Sequence, residues 1–306
     1  MGIKELLCIL QEIPKCGYEY KVNLNRVLLR FFACFFLCFV LAINIQRHYH
    51  YTRSETTIQF EWAPLKSFEK IQSQSQMNQD KEILKRYFLV QHDEIPYALV
   101  RGKFLEIGGV DGIDGSNTLQ FERVLQWNGI LIEASPTKFK DLQLNRPLYS
   151  NVLLQGAYCQ PGDNTTTFLE SSGRQGIIFQ NESGFEQHVG YFHPQHLRKE
   201  VAVKCINGER FQGISQIDFM SVDCEGCELN FLKDFPFHEI IVGVIIVELH
   251  PIFKAHHDDI KSLLKQNGFE FEGLINDGHH DYSDGIFVNY HYMMKLRESQ
   301  TLIGIV

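Results

Sequence analysis

The run IIVGVIIVE at residues 240–248 constrains the fold most. Nine residues are too few to cross a bilayer as a helix, and no polar face interrupts them. Their Val and Ile content suits a central strand covered on both faces. Elements alternate around it. Lys103–Ile107, Gly129–Glu133 and Val152–Ala157 read as strands, and Ser116–Gln126 and Pro136–Asn145 as the helices between them. The first helix carries Thr118, Phe121, Val124 and Leu125 on one face, with Ser116 or Asn117 as N-cap. Residues 164–206 are irregular, with short strands at 165–169 and 201–206. Ile217–Val222, helix Glu228–Asp234, helix His257–Gln266, Phe269–Leu274 and Gly285–Asn289 complete the series. Strand and helix in alternation predict an α/β fold, a parallel sheet with helices on both faces.

Ligands of such sheets lie beyond the carboxyl ends of the strands. FLEIGGVDGIDG, residues 104–115, follows the first strand, and its glycines permit a tight turn close to a ligand. Ile107 breaks the G-x-G-x-x-G pattern, which argues against a nicotinamide oxidoreductase. Glu106, Asp111 and Asp114 suit a sulfonium or amine better than a pyrophosphate. Glu133 ends the second strand, where a carboxylate can accept from both hydroxyls of a ribose. Asp223 ends the fourth, in IDFMSVDCEGCEL, with Glu225 or Glu228 available to cap the next helix. Glu248 and His250 follow the fifth, His250 as a base or as a structural histidine.

FLEIGGVDGIDGSNTLQFER, WNGILIEASP and IDFMSVDCEGCEL, in this order and spacing, resemble the FkbM-type methyltransferase domain over about residues 80–292. The resemblance implies the Rossmann-like, seven-stranded fold of S-adenosylmethionine-dependent methyltransferases. It places Glu106, Gly108 and Gly112 near the methionine moiety of S-adenosyl-L-methionine, Glu133 at the ribose, and Asp223 at the cofactor or acceptor end. It also implies O-methyl transfer to a hydroxyl of a small molecule or glycan, with Asp223 or His250 withdrawing the proton. With an N-terminal anchor, the chain is also similar to the animal Star-like family. Those are type II membrane proteins that move membrane-protein cargo from endoplasmic reticulum to Golgi and through endosomes. That likeness implies a non-catalytic escort as the alternative to an enzyme.

The anchor reading rests on Val27–Ile45, VLLRFFACFFLCFVLAINI, in which only Arg30 and Asn44 are polar. At about 1.5 Å per residue these 19 residues span the roughly 30 Å hydrocarbon core. The late start and lack of a small-x-small site disfavour a cleaved signal peptide. Lys15, Lys21, Arg26 and Arg30 outnumber Arg47 and Arg53, so residues 1–26 are expected in the cytosol and the body in the lumen. Sequons at Asn164 and Asn181 fit a glycosylated lumenal face. The charge divides accordingly. Residues 1–45 hold five Lys/Arg against three Asp/Glu, and the remainder 24 against 34. So acidic a body argues against a nucleic-acid partner.

Residues 46–80, with QSQSQMNQ at 72–79, read as a polar stem, 81–292 as the domain and 293–306 as a tail. Cys159, Cys205, Cys224 and Cys227 would be lumenal, where disulfides form, and sequence leaves all three pairings open. The CxxC spacing of Cys224 and Cys227 reads as two ordinary buried cysteines before redox or zinc chemistry. No metal site is expected, because His256–Asp259 and His279–Asp281 read as solvated polar turns. A glycosyltransferase fits the topology but lacks a well-placed D-x-D. A lumenal methyltransferase would also need its cofactor imported from the cytosol.

Overall fold

The computed structural model describes residues 60–65, 71–146, 151–159, 162–170, 176–178, 199–276, 278, 283–302 and 304. The chain divides into two compact units, Met1–Thr56 and Thr57–Val306, and every described residue lies in the second. The apolar run at 27–45 and the sequon at Asn181 lie outside the described residues, among which no helix is long and apolar enough to cross a membrane.

A seven-stranded sheet forms the centre. Its strands are β4 (Lys103–Ile107), β5 (Asn128–Glu133), β6 (Asn151–Gln155), β11 (Gln216–Val222), β12 (Ile241–Glu248), β13 (Phe269–Ile275) and β14 (Asp284–Asn289). Their spatial order is β13-β14-β12-β11-β4-β5-β6, with β14 antiparallel to both neighbours and the other pairs parallel. The chain winds outward in opposite directions from β4 and β11, which makes their junction the switch point where such sheets bind ligands.

The side-chain period of two explains why both faces are covered. Leu105, Met220, Ile245 and Val247 pack one way, against α4 (Glu228–Asp234) and α5 (Lys254–Gln266). Phe104, Phe219, Val244 and Ile246 pack the other way, against α1 (Gln79–Tyr87), α2 (Leu119–Leu125), α3 (Pro136–Asn145) and α6 (Tyr290–Leu302). The glycine within the apolar run has a packing cause. A Cβ at Gly243 would stand 2.6 Å from the Tyr292 ring of α6. That tyrosine donates to Asp218 in mid-β11, so this carboxylate is structural.

Two smaller sheets flank the centre. One is antiparallel, with β3 (Ile95–Val100) between β1 (Glu61–Pro64) and β2 (Leu89–His92). The other has the order β7-β10-β8-β9, from β7 (Ala157–Tyr158), β8 (Thr165–Glu170), β9 (Gly176–Ile178) and β10 (Lys199–Ile206).

The structure refines several sequence readings. The Ser116–Gln126 helix begins at Leu119, because Ser116 Oγ accepts the N–H groups of Thr118 and Leu119 and holds the preceding residues as a turn. Val124 is exposed and not on the core face. The strand read at Val152–Ala157 is two, β6 and β7, parted at Gly156 into different sheets. The polar stem read at 46–80 includes β1 and the start of α1, and the tail read at 293–306 includes most of α6, whose Met293, Leu296 and Gln300 are buried. His256–Asp259 lies in α5, not in a turn, and His279–Asp281 lies outside the described residues. Cys159–Cys205 and Cys224–Cys227 are disulfides, so the CxxC pair is bonded and not two free buried thiols.

Candidate cofactor site

A cleft opens above the β4–β11 junction. Gly108, Glu133 and Asp223, three of the residues singled out from sequence, line it. Gly108 follows β4 with φ +84°, and its N–H donates to the Ile132 carbonyl at 3.0 Å. A Cβ there would come within 2.0 Å of the Asp223 carbonyl oxygen, so the close approach of the β4 and β11 ends requires glycine.

Glu133 ends β5 with its carboxylate nearly buried. Its Oε2 accepts from Val110 N at 2.8 Å and its Oε1 from Ser135 N at 2.7 Å. Burial pushes its pKa up to about 7, and the backbone donors oppose that rise. These backbone donors leave acceptor capacity on the carboxylate for a ligand hydroxyl. Asp223 follows β11, its N–H directed at the Ile107 carbonyl. Burial, and then the charges of Glu225 and Asp284, hold its carboxyl well above the ordinary carboxylate range. Ile132, Tyr158 and Phe168 give part of the wall an apolar and aromatic character, alongside the polar Ser135, Lys138 and Glu170.

Glu106, Gly112 and His250 stand elsewhere. Glu106 is buried beneath the loop and accepts from Ser116 Oγ, Asn117 N and Thr118 Oγ1. Gly112, at φ +79°, is pressed against Leu142 and Arg146, where a Cβ would lie 2.6 Å from Arg146 Cγ. His250 Nδ1 accepts from Ile252 N at 3.2 Å and caps the 3₁₀ turn Pro251–Phe253. Of the two roles left open for His250, the structure shows this cap, and His250 does not line the cleft. Glu228, the first residue of α4, does not cap the helix, which has no side-chain cap; its carboxylate instead accepts from Cys224 N and Gly226 N in the preceding turn.

Sequence reasoning missed Arg146. Fully buried, it donates to the Gly112 carbonyl, Ser116 Oγ, Thr118 Oγ1 and Glu122 Oε2, and lies 3.7 Å from Glu106. It ties α3 to the glycine loop. An isolated Arg before a proline carries no local signal for partners 24 to 34 residues away. Cys224 and Glu225 also line the cleft, Glu225 at φ +58° between the bonded cysteines.

The Methyltransferase FkbM domain matches residues 106–271, more than half of the chain. The chain belongs to the FkbM methyltransferase domain family. Among solved structures, the FkbM chain is similar to Aeropyrum pernix fibrillarin in complex with natively bound S-adenosyl-L-methionine. That likeness has 9% identity and a TM-score of 0.33, covering 67% of this chain and 84% of that one. It is also similar to a precorrin-6y C5,15-methyltransferase from Geobacter metallireducens, at 10% identity and a TM-score of 0.34, covering 62% and 80%. No curated protein matches it.

Membership of the family supports S-adenosylmethionine as cofactor of the FkbM cleft, and the residues fit that group. Glu133 offers an acceptor to a ribose hydroxyl, Tyr158 and Phe168 offer faces to a base, and Gly108 lets backbone approach the ligand. The acidic residues Asp114 and Glu225 in the lining suit a sulfonium.

Proposed function

We propose that this protein is an S-adenosylmethionine-dependent methyltransferase that transfers a methyl group to a hydroxyl of a small molecule or glycan. The observation that carries the reading is Glu133 at the β5 tip, hydrogen-bonded to the Gly108–Val110 turn, with both lining one cleft. S-adenosylmethionine supplies the activated methyl group when bound. Glu133 orients the ribose, and the Gly108 turn sets the depth of binding. Asp223, whose surroundings raise its proton affinity, takes the proton of the acceptor hydroxyl when it is in its ionised form and is left as the neutral acid. Much of a methyl transfer is positioning, so one proton acceptor suffices.

Two measurements on the full-length protein test this. Calorimetric titration with S-adenosylhomocysteine should give saturable heat, and its absence at millimolar ligand sinks the reading. With hydroxylated acceptors, Asp223→Asn should abolish methyl incorporation while leaving that affinity within about twofold. Transfer by Asp223→Asn at the wild-type rate would remove Asp223 from the chemistry.

The reading extends to location: a type II single-pass membrane protein of the endoplasmic reticulum, Golgi or endosomal system, with residues 46–306 lumenal. Two features of the body support it. Asn164 is exposed at the entry to β8, open to a glycan, and both disulfides belong to the part expected in the lumen. A glycosidase mobility shift lost in Asn164→Gln/Asn181→Gln is expected. Digestion of the body by protease in sealed microsomes would overturn it. A second reading, a Star-like escort of membrane-protein cargo, is supported by the position of His250, a candidate base that caps a turn and does not line the cleft. In that case ligand binding survives and no acceptor is methylated.

A further inference from the structure

The segment read as polar stem crosses the rim of the cleft. Gly115 N donates to the Gln74 carbonyl at 2.8 Å, Ser75 bridges to Gly115, and Gln120 Nε2 donates to the Gln72 carbonyl at 2.6 Å. Ile71 and Met77 are buried at either side, which fixes both ends of residues 71–77 against the body. The segment is also held from within. Asp80, buried at the start of α1, accepts from Ser73 Oγ at 2.5 Å, Ser75 Oγ at 2.9 Å and Gln74 N at 3.2 Å. At the crest of this strap, exposed Gln76 lines the cleft beside Asp114 and Gly115. The family match begins at residue 106, so it does not include the strap.

The chemistry of the wall says what Gln76 is for. Tyr158 and Phe168 form an aromatic end suited to a base, and Glu133 with neighbouring Ser135 and Lys138 forms the middle. The other end holds Glu225, which follows β11, and Asp114 also lines the cleft; as carboxylates both only accept hydrogen bonds. An amino-acid moiety placed there presents an ammonium, which those groups satisfy, and a carboxylate, which they repel. A carboxamide brings two N–H donors and no charge, the complement a ligand carboxylate needs.

We propose that Gln76 binds the carboxylate of the cofactor's amino-acid end and that Asp80 is the positioning residue that holds it there. The assignment rests on the cofactor reading above. It makes the strap part of the binding site.

Two nucleosides separate the possibilities, with the full-length protein titrated by each. S-adenosylhomocysteine carries the amino-acid end and 5′-methylthioadenosine lacks it. Gln76→Ala should weaken the first about tenfold, the worth of one charge-assisted hydrogen bond, and leave the second within twofold. Gln76→Glu, of the same shape but with a repelling charge, should weaken the first further and again spare the second. Asp80→Asn should show the same split, and in Gln76→Ala/Asp80→Asn its effect should vanish, because it acts through Gln76. A structural role alone would weaken both nucleosides and add in the double variant. Equal loss for both, or no loss in Gln76→Glu, overturns the assignment. A wild-type protein that binds neither nucleoside overturns the cofactor reading itself, and a distinct result is thereby obtained.

Discussion

Glu133 has two jobs that pull its protonation in opposite directions. Burial holds its pKa near 7 against an ordinary 4.5, whereas a hydroxyl donor is best received by the ionised form. The sign for stability follows. Below 4.5 folded and unfolded chains both hold the proton; between 4.5 and 7 only the folded chain does. Rising pH through that window therefore removes stability, and above 7 this residue adds no further change. Ligand affinity runs the other way. S-adenosylhomocysteine should bind more tightly as pH rises from 6 to 8, and Glu133→Gln should bind at least about tenfold more weakly at pH 8 with a flat profile. A wild-type affinity that does not change across this range would remove Glu133 from the ribose. At Gly108 the constraint is steric. Its φ of +84° and the Asp223 carbonyl at 2.0 Å from any Cβ act together. Gly108→Ala should lose about 1–3 kcal/mol from backbone strain alone, with more from the clash, read as a lower urea midpoint. It should also lose nucleoside binding.

Among elements, the glycine loop depends on α3 through one side chain. Arg146→Met would leave Glu106 and Glu122 without their buried cation, and breaking such a pair costs about 3–5 kcal/mol. The expected result is a lowered thermal midpoint and loss of S-adenosylhomocysteine binding together, although Arg146 does not line the cleft. The disulfides differ by loop length. Cys159–Cys205 spans 46 residues and Cys224–Cys227 only 3. On chain-entropy grounds Cys159→Ala/Cys205→Ala should cost about 4 kcal/mol and Cys224→Ala/Cys227→Ala about 2 kcal/mol, compared by urea unfolding. Legibility at this scale followed locality. Lys103–Ile107, Pro136–Asn145 and Glu228–Asp234 were readable to the residue, because period, capping Ser135 and flanking glycines all lie in the segment itself. Gly108, Glu133 and Asp223 were readable as cleft residues because strand ends in an alternating chain must share one edge. Arg146, the Cys159–Cys205 pairing and the Gln74–Gly115 contact were not, since each joins residues tens of positions apart with no local periodicity to reveal it.

At the scale of the whole body, the two stretches that composition assigned to stem and tail meet each other. Trp62 Nε1 donates to Ser299 Oγ at 3.0 Å across 237 residues, and the Phe60 ring stands edge-on to Tyr292 at 5.4 Å. Polar composition hid this, because within QSQSQMNQ the side chains of Ser73, Ser75 and Gln79 are used on Asp80, Asp284 and the Met77 N–H. The consequence is a boundary prediction. A fragment of residues 81–292 discards Trp62, Ile71, Met77, Met293 and Leu296, all buried. At about 1.5–3 kcal/mol for each buried side chain, the loss is on the order of 10 kcal/mol. Typical domains hold only about 5–15 kcal/mol in total, so that fragment should be unfolded or nearly so. A fragment of residues 57–306 retains the whole second unit and should unfold in a single cooperative transition. Circular dichroism melts of the two, side by side, provide the check. A cooperative melt for 81–292 within a few degrees of that for 57–306 would mean that the strap and the terminal helix are appendages, and the contacts of Trp62 and Asp80 would then be incidental to the fold.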